Sequence, residues 1–276
     1  MEEQERKIFM RKARDIRKLA INAISTVGMG HIGGSMSIIE TLVILYYRFM
    51  KIDPANPGLL DRDKLILSKG HSGPALYSVL ADKGFFPIDW LATLNKGGTR
   101  LPSHCDMNLT PGIDMTTGSL GHGLSAAVGM ALANKLDGFD GTIYVIIGDG
   151  ECNEGQVWEA AMAAAHYHLD NIIAFLDYNK MGLDGYMDEV MDISDITSKW
   201  VAFNWAVHRV DGHDFEQLDR VIIKAKAERN RPSMIVLDTI KGKDCIFAEG
   251  RVESHHMAVN REMATQAITY LDQLEI

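Results

Sequence analysis

Two short segments place hard oxygen donors where a chain could hold a metal ion. Gly148-Asp149-Gly150 follows the apolar run 142–147, and Asp177-Tyr178-Asn179-Lys180-Met181-Gly182 follows the run 171–176. A carboxylate, a side-chain carbonyl and a backbone carbonyl suit magnesium, which completes its octahedron with phosphate oxygens and water. Asp149, Asn179 and the Met181 carbonyl supply that set. The glycines let the backbone approach a diphosphate, and a following helix N-terminus favours its negative charge. Gly-Asp-Gly after a strand also serves as a plain tight turn, and Asp and Asn are common turn residues. The 28 residues between Gly150 and Asn179 decide between these readings. They make one helix and one strand, which returns the chain to the same sheet edge and favours the metal.

Histidines form a second group. They lie in Gly30-His31-Ile32-Gly33-Gly34, Ser68-Lys69-Gly70-His71-Ser72, Pro102-Ser103-His104 and Ser254-His255-His256. Histidine is the side chain whose unperturbed pKa suits proton handling near neutrality. A single loop histidine is more often a hydrogen-bonded surface group than a catalyst. Four in such contexts point to one site. His166 and His168, two apart on an expected helix, face different ways and read as structural, as do His208 and His213.

The elements that must position these residues follow from periodicity. Apolar residues of 2–26 recur at helical spacing, and glycines 28, 30, 33 and 34 then interrupt it. Ser35 is the expected cap of a second helix reaching Met50. Strands are expected at 64–67, 142–147, 171–176, 206–210 and 233–239, and helices at 74–83, 121–136, 154–168, 215–227 and 263–274. The 142–147 strand is apolar nearly throughout, as when both sheet faces are covered. This alternation predicts an α/β fold: a doubly wound, mostly parallel sheet with helices on both faces. Ligands in such sheets sit beyond the carboxyl ends of the strands. No repeat, low-complexity tract or Pro/Ser-rich linker divides residues 1–276, which read as one unit.

Composition narrows the class. Apolar residues are 46% and charged residues 24%, as in a soluble globular chain. No run approaches the roughly 20 apolar residues of a membrane helix, so no membrane partner is expected. The mixed charges of residues 1–18 are unlike a secretory signal. Cys105, Cys152 and Cys245 show no metal or redox spacing, which suits a reducing cytoplasm. A net charge of −9 argues against nucleic acid, though a small phosphorylated ligand needs only a few local donors.

Gly148-Asp149-Gly150 running to Asn179 resembles the signature of thiamine diphosphate-dependent enzymes, with Tyr178 where a first asparagine is frequent. The histidine segments narrow the resemblance to transketolases. Gly30-His31-Ile32-Gly33 resembles their Gly-His-Pro-Gly, with Ile32 in place of proline. Ser68-Lys69-Gly70-His71 resembles their Gly-His segment. Pro102-Ser103-His104 followed by Thr117-Gly118-Ser119-Leu120-Gly121 resembles the stretch carrying another histidine and the cofactor loop, with His122 where glutamine is common. Lys241-Gly242-Lys243 and Ser254-His255-His256 resemble the closing loop. The likeness runs from about residue 10 to residue 260, in order.

This resemblance implies the thiamine diphosphate-binding fold of a pyrophosphate-binding domain, with Asp149, Asn179 and the Met181 carbonyl holding Mg2+ (or Ca2+ or Mn2+). It implies that Gly148, Gly150, Gly118, Ser119, Leu120 and Ile240 flank the cofactor. His71 and His255 would touch it too, and Glu154 would lie at a subunit interface that couples two active sites. His31 and His255 would serve the carbon-3 hydroxyl and the acceptor aldehyde. His71 and His104 would bind the carbon-1 hydroxyl and steady the intermediate; His256 could replace His255 after a one-residue slip. The implied activity is transfer of a two-carbon ketol unit from a ketose or ketose phosphate to an aldose or aldose phosphate. Family chains are more than twice as long, so a C-terminal subunit with the pyrimidine-binding and C-terminal domains is implied, in an α2β2 assembly. Specialisation for a branched or sulfonated ketose is an open alternative. An α subunit of a 2-oxoacid dehydrogenase would lack the His31, His71 and His104 segments. A non-catalytic relative would have lost one of these residues. A nucleotide-binding domain would show a P-loop lysine or a Gly-x-Gly-x-x-Gly turn opening a helix after a first strand, and this chain has neither.

Overall fold

Five apolar runs pair into one sheet. The computed structural model describes residues 1–276. The chain enters through α1 (Glu3–Val27), β1 (Met29–Gly30), α2 (Ile32–Met36) and α3 (Ile39–Ile44), then β2 (Lys64–Leu67) and α4 (Gly73–Asp82). The central run is α5 (His122–Asp137), β3 (Ile143–Gly148), α6 (Gly155–His166) and β4 (Ile172–Tyr178). Next come α7 (Met187–Val190), α8 (Ile196–Ala202), β5 (Ala206–Asp211), α9 (Phe215–Ala227), β6 (Ser233–Asp238), β7 (Met257–Ala258) and α10 (Arg261–Gln273).

Strands β2, β3, β4, β6 and β5 lie side by side in that order, all parallel. Successive side chains on a strand face opposite ways, and the cores divide accordingly. Tyr144, Ile146, Ile173, Phe175, Ile235 and Leu237 pack under α1, α3, α4 and α9. Val145, Ile147, Ala174, Leu176, Met234 and Val236 pack under α5, α6 and α8. Helices therefore cover both faces, the doubly wound arrangement the alternation predicts. Gly148 of β3 stands opposite Asp177 of β4, and Asp177 opposite Leu237 of β6, so the strand tips share one edge.

A second pairing was not legible in the sequence. β1 and β7 form a two-residue antiparallel ladder, Met29 opposite Ala258 and Gly30 opposite Met257. Two expectations need correction. Ser35 is no helix cap: it lies inside α2, its hydroxyl donating to the His31 carbonyl at 2.7 Å. Helix does not run on to Met50 either. The path breaks at Ser37, whose hydroxyl turns to the Gly34 carbonyl and to Asp177, and α3 ends in a π-helical turn at Leu45–Phe49. Hydroxyl bonds of this kind compete with regular helix. His168 lies beyond α6 with φ of 52°, its ring beside the Asn230 carbonyl. No helix is long and apolar enough to cross a membrane.

Candidate active site

A cavity of about 370 Å³ opens at the carboxyl edge of the sheet. Asp149 follows β3 directly and is 3% exposed. Its Oδ1 accepts from the Gly150 N–H at 2.8 Å and its Oδ2 from the Lys180 N–H at 2.5 Å. One carboxylate thus bridges the tips of β3 and β4. Burial, then the neighbouring Asp177, push its pKa up to about 7. Those backbone donors and Lys69 offset only part of that, so Asp149 is a buried acid short of positive charge.

Asp177 has found its cation. Lys69 Nζ lies 2.6 Å from Asp177 Oδ2, both groups buried, and also donates to the Gly34 carbonyl at 2.7 Å. Burial opposes the Asp177 charge, yet Lys69, Thr239 and Ser37 override it and hold the carboxyl below its usual range. Asn179 donates its amide N–H to Asp177 at 3.0 Å, and its carbonyl oxygen accepts from the Met181 N–H at 3.1 Å. Lys241, 2% exposed, donates to the carbonyls of Met181 and Gly182 at 3.1 and 2.7 Å. Burial is the largest cause lowering the Lys241 pKa, to about 8.

Histidines make the opposite wall. His31 caps α2 and His71 lies in the turn after β2. His104 sits on a loop, and His255 in the turn before β7. The ring of His31 is 5.2, 5.6 and 5.6 Å from those of His71, His104 and His255, and His71 is 5.0 Å from His255. The β1–β7 ladder joins the first and last of these segments. At Gly33 a Cβ would stand 2.3 Å from Ser254 Oγ, so only glycine lets the two backbones close. Gly118 has φ of +147°, and a Cβ there would meet the His104 ring at 3.2 Å. Burial, then the other imidazoles, lower His31 to about 3. Burial, then Lys241 and Lys69, lower His255 to about 4. His71 lies well below its ordinary value and His104 lower too, burial leading in both. The set is neutral near pH 7, each ring offering one donor and one acceptor.

Most residues singled out in the sequence meet here. His31, His71, His104, His255, Gly118, Leu120, Gly148, Asp149, Gly150, Asn179 and Met181 all line the cavity. Three do not. Ser119 and Glu154 are exposed, and Ile240 points to solvent with its N–H turned away to His213. His256 lies outside the main cavity, its ring 4.6 Å from that of His31. Four buried charges that line the cavity were given no role from the sequence: Lys69, Glu151, Asp177 and Lys241. Glu151 accepts from Gly148 N–H at 3.0 Å, Gly121 N–H at 2.8 Å and the Ser68 hydroxyl, tying three loops together. A charge at the end of each buried strand was the available signal, because a buried charge needs a partner.

A family model described as the transketolase thiamine diphosphate-binding domain matches residues 9–271. The chain is 55% identical over 262 residues to the 6-deoxy-6-sulfo-D-fructose transketolase subunit SqwG of a Clostridium strain, covering 95% of each. It is 40% identical to an apulose-4-phosphate transketolase subunit from Actinobacillus succinogenes, covering 89% of each. The solved transketolase of Leishmania mexicana superposes with TM-score 0.91 at 29% identity, covering 96% of this chain and 41% of that one. A matched domain, a shared fold and relatives aligned nearly end to end agree: the chain belongs to the transketolase family, as its thiamine diphosphate-binding domain.

Proposed function

We propose that this chain is the diphosphate- and metal-holding subunit of a two-chain transketolase working in a reducing cytoplasm. The observation that carries this is Asp149, a buried carboxylate lacking a cation, set between two strand tips beneath a wall of neutral histidines. The site's chemistry fits a divalent metal. Asp149, the Asn179 carbonyl and the Met181 carbonyl are hard oxygen donors. The Met181 and Gly182 carbonyls already accept from a cation, the Lys241 ammonium. Mg2+ held there would neutralise diphosphate charge. Gly148 and Gly150 leave room for phosphate oxygens against the backbone.

Thiamine diphosphate, when bound, supplies the carbon that takes up the ketol unit and the ring that stabilises the resulting charge. The chain's own share is binding and proton handling. His71 and His104 hydrogen-bond the carbon-1 hydroxyl, while His31 and His255 exchange protons with the carbon-3 hydroxyl and the acceptor aldehyde. Their lowered pKa values keep both rings neutral near pH 7, each with one nitrogen able to accept a proton and one able to donate. The partner subunit brings the pyrimidine-binding and C-terminal domains, in an α2β2 assembly. Reconstitution with that partner tests the site. Asp149→Ala abolishes magnesium-dependent cofactor uptake in calorimetry, whereas His104→Ala leaves uptake intact and lowers turnover about 100-fold or more. Parent-like behaviour of both variants overturns the assignment.

A second reading concerns the donor. Identity of 55% across 95% of both chains, against 40% for the branched-sugar relative, favours a sulfonated ketose such as 6-deoxy-6-sulfofructose. The reconstituted enzyme then has its highest kcat/KM on the sulfonated donor. A higher value on an ordinary ketose phosphate removes this reading and leaves the first intact.

A further inference from the structure

We infer that His213, which does not line the cavity, is a positioning residue that fixes the corner carrying Thr239, Ile240 and Lys241. The inference rests on the proposed function, since that corner matters through the cofactor site. His213 follows β5 and lies against the start of α3. Its Nε2 is 2.9 Å from the Ile240 backbone nitrogen, and its Nδ1 is 3.1 Å from Glu40 Oε2. A backbone N–H can only donate, so Nε2 must be the bare nitrogen. The proton therefore sits on Nδ1 and is donated to Glu40.

Glu40 is itself held. It is 5% exposed, and its Oε1 accepts from Arg17 Nη2 at 2.5 Å. Arg17 also donates from Nε to the Lys243 carbonyl at 3.0 Å. One buried carboxylate thus anchors the 240–243 segment at both ends, through His213 to Ile240 and through Arg17 to Lys243. The front of that segment faces the site: Thr239 donates to Asp177, Lys241 to the carbonyls of Met181 and Gly182, and Gly242 to the Gly33 carbonyl at 2.9 Å. Gly212, beside His213, packs so closely that a Cβ would stand 2.5 Å from Thr239 Cγ2. The brace and the cavity wall are two sides of one turn.

The test uses the assembled two-chain enzyme. His213→Gln keeps an acceptor at the reach of Nε2, whereas His213→Asn keeps a donor near Nδ1 but falls short of Ile240. Calorimetry with magnesium should show thiamine diphosphate binding about tenfold weaker in His213→Asn, as for one lost hydrogen bond. His213→Gln should remain within roughly twofold of the parent. Equal binding by parent and His213→Asn overturns the inference, and so does an equal loss in both variants. Imidazole 15N resonances of the parent give a second readout, independent of variant folding and of the cofactor: the Nδ1–H tautomer is expected, and Nε2–H overturns the brace. A parent that takes up no cofactor defeats the proposed function, and the tautomer still judges the brace separately.

Discussion

Four imidazoles line one wall, and burial, joined at His31, His71 and His255 by neighbouring positive or protonatable groups, keeps them neutral. His31 shows what this does to stability. Its folded pKa, about 3, lies below the ordinary histidine value. Between those values the unfolded chain binds the proton that the folded chain rejects. The neutral ring's contribution is therefore complete above about pH 6.5 and shrinks as the pH falls toward about 3. His31→Gln should give a shallower loss of melting temperature than the parent between about pH 7 and about pH 4. Identical acid limbs would mean that His31 is not held neutral. Asp149 is the opposite case, an acid whose charge burial resists and which a metal ion can satisfy.

At the scale of elements, the site depends on two devices. Parallel β3, β4 and β6 end at the same edge, which puts Asp149, Asp177, Asn179 and Thr239 within one network. The β1–β7 ladder then closes the histidine wall from segments over two hundred residues apart. The tightest approach between the same two segments is at Gly33 of α2, where a Cβ would meet Ser254 Oγ and, at 2.8 Å, the Ser254 carbonyl. Backbone cannot move aside as a flexible side chain can. Gly33→Ala should cost about 1–3 kcal/mol of stability and weaken cofactor binding by displacing His31 from His255. Thermal unfolding and calorimetry check both, and an unchanged melting temperature would show that the contact of Gly33 with Ser254 tolerates the extra carbon.

For the whole molecule, the surface beside the cavity is the telling feature. Leu183 and Val190 are exposed where they line a polar, charged site, Tyr186 and Met191 are exposed in the same stretch of chain, and Ile240 is a further exposed apolar side chain on the Lys241 corner. A grouped apolar rim of this kind marks an interaction surface. It is consistent with a partner subunit covering the cofactor's exposed end, and the chain spans about 41% of the solved Leishmania mexicana transketolase. Val190→Asp should leave the chain folded and prevent assembly, seen as loss of the larger species in sedimentation. Undiminished assembly would place the interface elsewhere. The purified chain alone should show no ketol transfer.

Sequence alone determined the periodic parts: every strand of the large sheet, the helices α4, α5, α6 and α9 between them though not α7 and α8, and the strand-tip residues Asp149 and Asn179. These follow from local spacing, because a buried parallel strand must be apolar and its ligands must follow it. It also supplied His31 and His71, each beside a glycine, and His104 and His255 through segments that resemble those of transketolases. Tertiary structure alone decided who meets whom. Lys69 finds Asp177 across 108 positions, and Glu151 collects donors from three loops. His213, read in the sequence as incidental, joins Glu40 across 173 positions. A buried charge announces that it needs a partner, but the partner is chosen by packing between distant segments, and no local pattern records that choice.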